Sequence, residues 1–319
     1  MIIPTRDRPG PLHRALRSLA RQTYRRFEVV IVRDGGAPIE QVVGRWQREM
    51  PITLIDTGNR HGVSHARNLA LAAAHGDHVA FLDDDDVFLP HHLQAAVDAL
   101  RTGRADAVYG QALISPTWIE DLPRSPGGLP RKDYAFDPVF LGIANTIHTG
   151  SLVTRNPAST RVRFDETMHH CEDWDFLLAL HHTAGYQLAS LDDVTCVYHQ
   201  VPRPGAVTTA YQTSPTPFTR ARATVYRRWP VTEDRAEAYR EWFRSFDQRL
   251  DTRIALGLPV PLYVYERAVR GLHTAFTARR GPDPALLDRL LPSTAASWPV
   301  QSSDTVPISA LTGGEHAAH

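Results

Sequence analysis

Short apolar runs and helical stripes alternate through the N-terminal part of this chain. Ile2-Ile3 opens a strand that Pro4 ends, because proline cannot donate to a strand ladder. From Pro9 to Arg21, residues Leu12, Ala15, Leu16 and Leu19 recur at helical spacing and predict a helix with one apolar stripe. Phe27 to Val32 is apolar except for Glu28 and predicts a strand, and Asp34-Gly35-Gly36 turns the chain after it. The alternation continues with a helix over Ile39 to Arg48, a strand over Ile52 to Asp56 and an alanine-rich helix over Val63 to Ala74. A strand at His78 to Leu82, a helix over Pro90 to Arg101 and a strand at Ala107 to Tyr109 follow.

Strands that are apolar throughout, separated by helices, predict an α/β fold: a mostly parallel, Rossmann-like sheet flanked by helices. In such sheets ligands bind beyond the carboxyl ends of the strands. That singles out Thr5-Arg6-Asp7, Arg33-Asp34, Asp56 and Asp83 to Asp86. From Ser115 to Phe136 the pattern dissolves into prolines and glycines, and a loop of that length is usually functional. A strand at Gly150 to Thr154, a helix over Trp174 to Thr183 and a strand at Val194 to His199 restore the pattern, and Pro202 to Gly205 reads as a hinge.

Beyond Pro217 the chain turns helical. Tyr239, Trp242, Phe243, Phe246 and Leu250 form one stripe, and Leu262, Tyr265, Val269, Leu272 and Phe276 a second. Joined across Gly257-Leu258-Pro259, they predict a helical hairpin. After Pro292 the composition is that of a disordered tail. The expected organisation is an α/β domain over 1–205, a helical appendage over 206–291 and a tail over 292–319.

Composition narrows the function. The 319 residues carry a formal net charge of zero, which argues against a general nucleic-acid binder. No apolar run is long enough to span a bilayer and no signal-peptide core opens the chain, so a cytoplasmic location with reduced thiols is expected. Cys171 and Cys196 are the only cysteines, too few for a disulfide framework or a cysteine zinc site. Lys132 is the only lysine. The paired histidines His91-His92, His169-His170 and His181-His182 point apart on any regular element, which argues against joint metal binding.

The strongest chemical signal is Asp83-Asp84-Asp85-Asp86, between an apolar strand and Pro90. Adjacent carboxylates repel unless they are solvated, cap a helix or meet a hard cation such as Mg²⁺ or Mn²⁺, which bridges phosphate oxygens. A second acidic group, Glu172-Asp173-Trp174-Asp175, reads either as the acidic first turn of a helix or as the seat of a proton-accepting carboxylate.

Six segments in order resemble glycosyltransferase family 2, the inverting enzymes of the GT-A fold. They are Thr5-Arg6-Asp7-Arg8-Pro9, Gln22-Thr23-Tyr24, Val30 to Gly36, Gly62 to Asn68, Phe81 to Asp86 and Glu172 to Asp175. The resemblance covers Met1 to about His199 and implies roles position by position. Thr5, Asp7 and Asp34 would lie at the base and ribose of a nucleotide, and Arg67 near the base or diphosphate. Asp83-Asp84-Asp85 matches the family's Asp-x-Asp element. Asp83 would hold the ribose or assist the metal, and Asp85 would ligate it. Asp173 matches the general base, and His199 falls where related enzymes place a histidine near the metal.

The implied partners are Mg²⁺ or Mn²⁺, a UDP- or dTDP-sugar donor and an acceptor hydroxyl or amine on a small molecule or glycan. Trp118, Tyr134 and His148 are candidates to stack on the acceptor, and the C-terminal helices are candidates for a homodimer contact. Arg33 departs from the family pattern, which has an acidic residue there. A nucleotide-sugar pyrophosphorylase would need a glycine-rich loop after the first strand, and Pro4 to Pro9 has none. A redox fold would show Gly-x-Gly-x-x-Gly, and a non-catalytic nucleotide binder would be expected to have lost Asp83, Asp85 or Asp173.

Overall fold

In the computed structural model of the protein, residues 1–119, 129–201, 216–261 and 263–292 are described. The α/β part runs β1 (Ile2–Thr5), α1 (Pro9–Ala20), β2 (Val29–Arg33), α2 (Glu40–Trp46), β3 (Ile52–Asp56), α3 (Val63–Ala73), β4 (His78–Ala80), β5 (Val87–Phe88) and α4 (His92–Arg101). It continues with β6 (Ala107–Ser115), β7 (Arg131–Lys132), α5 (Pro138–Leu141), a 3-10 turn (Thr149–Ser151), β8 (Leu152–Arg155), α6 (Glu172–His182) and β9 (Leu188–His199). Four helices follow: α7 (Thr216–Arg228), α8 (Asp234–Ala255), α9 (Val264–Thr277) and α10 (Pro284–Leu290).

Strands β1, β2 and β3 pair in parallel, with Thr5 beside Arg33 and Arg33 beside Asp56 at their carboxyl ends. Strands β4-β8-β6-β9-β5 form the rest. A parallel bridge from Ile2 to Phe81, with Leu82 N–H donating to the Ile2 carbonyl at 3.0 Å, joins the two halves. The expected parallel sheet is therefore present, but β8, β5 and β7 run against it. Helical crossovers force parallel pairing, and among the described residues between β6 and β8 the only α-helix is the four-residue α5. The irregular stretch after β6 lets β8 return antiparallel between β4 and β6.

Two apolar layers cover the sheet. One packs Ile2, Val30 and Val32 against α3 and α6; the other packs Ile3, Val29 and Ile31 against α1 and α4. Alternate residues of β1 and β2 thus face opposite sides, which is why these strands read as apolar without a break. A third core joins the stripes of α8 and α9 to Phe140, Ile143 and Ala144. Arg240, buried on α8, donates to the Gly142 carbonyl at 2.6 and 3.0 Å and to the Trp229 carbonyl at 2.6 Å. The helical region is keyed to the α/β part in this way, and the aromatic stripe considered above for a dimer contact is spent inside the chain. The hinge at Pro202 to Gly205 lies outside the described residues. Among the described residues no helix is long and apolar enough to cross a membrane.

Candidate active site at the carboxyl edge of the sheet

The carboxyl ends of the parallel strands open into one cleft of about 1360 Å³. Thr5 to Arg8, Asp34, Arg67 and Asp83 to Asp85 line one side, and Asn145, Thr149, Glu172 and Asp173 line the other. The two acidic motifs, 87 residues apart from Asp85 to Glu172 by numbering, thus meet on one cavity.

Arg67 joins them. Its side chain, only 4 % exposed, donates from Nη2 to Asp83 at 2.8 Å and from Nη1 to Glu172 at 3.0 Å. Burial opposes its charge, but Asp83 and Glu172 outweigh that and hold the guanidinium above its ordinary pKa. Arg67 reaches this position because α3 packs on β1 and β2 with Ala66 and Ala70 facing the core. Burial works against the charge of Asp83 too, and Arg67 prevails, leaving its pKa below the usual carboxylate value.

Asp84 is nearly buried. It accepts from Thr5 Oγ1 at 2.7 Å and from Arg8 Nη1 at 3.0 Å. Arg8 Nη1 also reaches Asp85 at 2.9 Å. Burial and the neighbouring Asp85 raise Asp84 to about 6, with Arg8 and Thr5 opposing. Asp86 turns inward, accepting from His148 Nε2 at 2.8 Å and His199 N–H at 2.7 Å, and burial with Asp85 and Asp83 raises its pKa. Of the four aspartates, Asp83 and Asp85 keep the most open side chains, 31 % and 20 % exposed.

On the far side, Asp173 accepts from Asn145 Nδ2 at 3.0 Å and Thr149 Oγ1 at 3.2 Å. Burial and the adjacent Asp173 raise Glu172 to about 7, with Arg67 opposing. A raised carboxylate stabilises the fold fully below its unfolded pKa, and that contribution is lost as pH rises through the folded value. Between pH 4.5 and 7 the thermal midpoint of the wild type is therefore expected to fall relative to that of Glu172→Gln. Equal slopes for the two proteins would refute a buried Glu172 with a raised pKa.

The remaining sequence candidates distribute as follows. Asp34 lines the cleft, but its carboxylate accepts from His61 N–H at 2.7 Å and Gly62 N–H at 2.9 Å, clamping the loop before α3. Gly62, at φ +102, supplies a backbone that a side chain would disfavour. Asp7, itself at φ +55, accepts from Ala37 N–H at 2.7 Å, and a side chain at Gly36 would collide with it. Arg33 is taken up by an ion pair with Asp56.

His199 sits beside the aspartates with both ring nitrogens engaged. Nδ1 meets the Asp85 carbonyl at 2.8 Å and Nε2 accepts from Ile119 N–H at 3.0 Å. Burial lowers its pKa to about 4, so it is neutral. In this arrangement it braces the Asp85 backbone and has no lone pair free for an ion. Trp118 and His148 line the cleft, whereas Tyr134 does not: it is 4 % exposed in the helical core, with Arg270 over its ring at 4.3 Å. The stacking role expected of Tyr134 is thereby corrected. Arg8, Lys132, Asn145, Thr149, Tyr263 and Glu266 were not singled out from sequence, although all line the cleft. Arg8 stood inside a quoted motif, Lys132 in the loop Ser115 to Phe136 and Asn145 and Thr149 in the stretch Gly142 to Ser151, both expected to shape an acceptor site; Tyr263 and Glu266 carry no local signal.

Among the described residues no three acidic, histidine or cysteine side chains are gathered around a vacant ion position. The donor chemistry still suits a hard cation: Asp83 and Asp85 offer oxygen alone, and Mg²⁺ or Mn²⁺ commonly takes one or two carboxylates and completes its shell with water and phosphate.

Residues 1–158 match the profile described as Glycosyl transferase family 2. Among curated proteins, the glycosyltransferase YwdF of Bacillus subtilis is 31% identical over 56% of this chain and 66% of its own length. The succinoglycan biosynthesis protein ExoW of Rhizobium meliloti is 36% identical over 50% of this chain and 55% of its own. The chain thus spans part of the length of these relatives. Two solved structures share the fold. S. aureus TarS 1-349 in complex with UDP-GlcNAc has a TM-score of 0.58 at 18% identity, covering 91% of this chain and 82% of that one. The mannosyltransferase PcManGT of Pyrobaculum calidifontis, in complex with GDP-Man and Mn2+, has a TM-score of 0.53 at 18% identity, covering 90% and 83%. With an ordered motif series, a GT-A-like sheet and this profile match, the chain carries a glycosyl transferase family 2 domain over residues 1–158.

Proposed function

We propose that the protein transfers a sugar, with inversion, from a nucleoside-diphosphate sugar to an acceptor hydroxyl or amine, using Asp173 as general base. The observation that carries this reading is the Arg67 bridge, which sets the Asp83–Asp85 carboxylates and Asp173 on one cleft. The donor is of the UDP or dTDP type, in keeping with UDP and UDP-GlcNAc in the TarS structures. Thr5, Asp7 and Asp34 lie where the nucleoside would enter. The α/β part over 1–205 holds the donor and the helices over 206–291 complete the fold.

Asp85 and Asp83 would hold Mg²⁺ or Mn²⁺, with His199 able to join only if it releases Ile119. Bound there, the ion would offset negative charge on the departing diphosphate. Arg8 and Arg67 add fixed positive charge on the same side of the cleft. Asp173, steadied by Asn145 and Thr149, takes the proton from the acceptor as its oxygen or nitrogen bonds to the anomeric carbon. The bond from that carbon to the phosphate oxygen breaks, and the electron pair leaves with the nucleoside diphosphate. One displacement from the opposite face inverts the centre, and no covalent enzyme intermediate is required.

Thermal-shift titration with UDP, dTDP, GDP and ADP, each with and without Mn²⁺, tests the reading. At least one diphosphate is expected to raise the midpoint more with Mn²⁺ than without, and Asp85→Asn is expected to remove that difference. Stabilisation by none of them, or an undiminished Mn²⁺ effect in Asp85→Asn, would overturn the donor site as drawn.

A further inference from the structure

The same cleft is also lined by side chains from distant parts of the chain: Lys132 on β7, Gln200 after β9, and Tyr263 and Glu266 at the start of α9. Glu266 Oε1 accepts from Gln200 Nε2 at 2.6 Å, which fixes the first turn of α9 to the end of β9. The Lys132 ammonium stands 6.0 Å from the centre of the Tyr198 ring. It lies in the fields of Glu266 and Asp173, yet among the described residues it makes no hydrogen bond and no close ion pair. The Tyr263 hydroxyl is buried and also without a partner among the described residues. Its backbone sits at φ +55, a conformation that a bulky residue keeps only when its surroundings impose it.

We propose that Lys132 and Glu266 form a selectivity clamp for a neutral, hydroxyl-rich acceptor, a pyranoside or polyol, whose hydroxyls bridge the two side chains beside Asp173. The inference rests on Asp173 being the base, and it narrows the acceptor from hydroxyl or amine to hydroxyl. Charge decides the class. An ammonium acceptor would face Lys132, and an anionic one would face Glu266 and Asp173. A hydroxyl does both jobs, accepting from the ammonium and donating to the carboxylate. An apolar alcohol would leave the Lys132 ammonium unpaired and Glu266 with Gln200 alone, and a half-desolvated charge without a partner is costly. Burial depresses the Lys132 pKa, as expected of a cation awaiting such a partner. Lys132 falls within the family-matched residues, whereas Tyr263 and Glu266 lie beyond them. On this account the C-terminal helices contribute to acceptor choice as well as to stability.

Because Lys132 is the only lysine, isotope-labelled lysine gives the full chain a single ε-methylene NMR signal to watch. The probes are methyl glucoside, methyl galactoside, methyl mannoside and ribitol, against methyl glucosaminide, methyl glucuronide and cyclohexanol. At least one neutral pyranoside or ribitol is expected to shift the signal saturably, about tenfold more tightly than the charged or apolar probes, the scale of one charge-assisted hydrogen bond. Glu266→Gln is expected to weaken the neutral probe and to favour the glucuronide. No response to any neutral probe, tighter binding of the glucuronide or glucosaminide by the wild type, or an unchanged order in Glu266→Gln would overturn the clamp. The nucleotide titration above is read separately, so failure of the donor site is distinguished from failure of the clamp.

Discussion

Asp173→Asn is expected to lower kcat by about 10²–10⁴-fold, the span that general-base catalysis commonly contributes. The substitution is close to isosteric. An amide oxygen in place of Oδ2 can still accept from Asn145 and Thr149, which hold the carboxylate at 3.0 and 3.2 Å. It cannot take a proton from the acceptor. Donor affinity, measured by nucleoside-diphosphate titration, should stay within about twofold, because uniform binding is untouched when only a transition-state role is lost. The thermal midpoint should fall modestly, since an amino group in place of Oδ1 cannot accept from Trp174 N–H, which Asp173 holds at 2.7 Å. Turnover at the wild-type rate would show that Asp173 is not the base. A fall in donor affinity that accounts for the whole loss would make it a binding residue.

Much of this architecture was legible because burial was encoded locally. The strands β1, β2 and β3 and helices α1 and α3 appear within a residue or two of the apolar patterns that predict them. The reversed β8 was not legible, since direction follows from what connects the strands, and an irregular connection carries no directional signal. Helix α7 lies in the stretch that reads as helical after Pro217, but no apolar stripe delimits it. Its inward face includes Arg222, 4 % exposed and ion-paired to Asp247 at 2.8 Å, so part of its packing is ionic and breaks the apolar periodicity.

At the site, motifs identified the carboxylates but not their company. Asp34 stands in a quoted motif, but the two backbone N–H groups before α3 that its oxygens accept from could not be read there. Tyr134 looked like a stacking ring and is core. Lys132 and Glu266 could not have been paired in advance: they lie 134 residues apart by numbering, and only the packing of α9 against the end of β9 brings them to one place. Local chemistry is written in neighbouring residues, whereas a clamp assembled across the fold is written only in its topology.

Arg67→Met is expected to destabilise the fold by about 3–5 kcal/mol, the usual cost of removing one partner from a buried ion pair. Methionine fills much of the same volume and keeps contact with Phe164, over whose ring the guanidinium lies at 5.2 Å. The loss is therefore electrostatic rather than a cavity effect. Asp83 and Glu172 would face each other without a cation, and Glu172, already raised to about 7, would be driven further toward its protonated form. Arg67→Lys separates charge from geometry. A lysine supplies the charge but lacks the planar fork whose two nitrogens reach two different carboxylates. Stability should return in part, while donor binding and turnover remain impaired because Asp83 and Asp173 are no longer held to a common frame. Chemical denaturation of the three proteins reads the first effect and nucleotide titration the second. A wild-type unfolding free energy in Arg67→Met, with donor binding intact, would show that the two acidic motifs keep their places without Arg67.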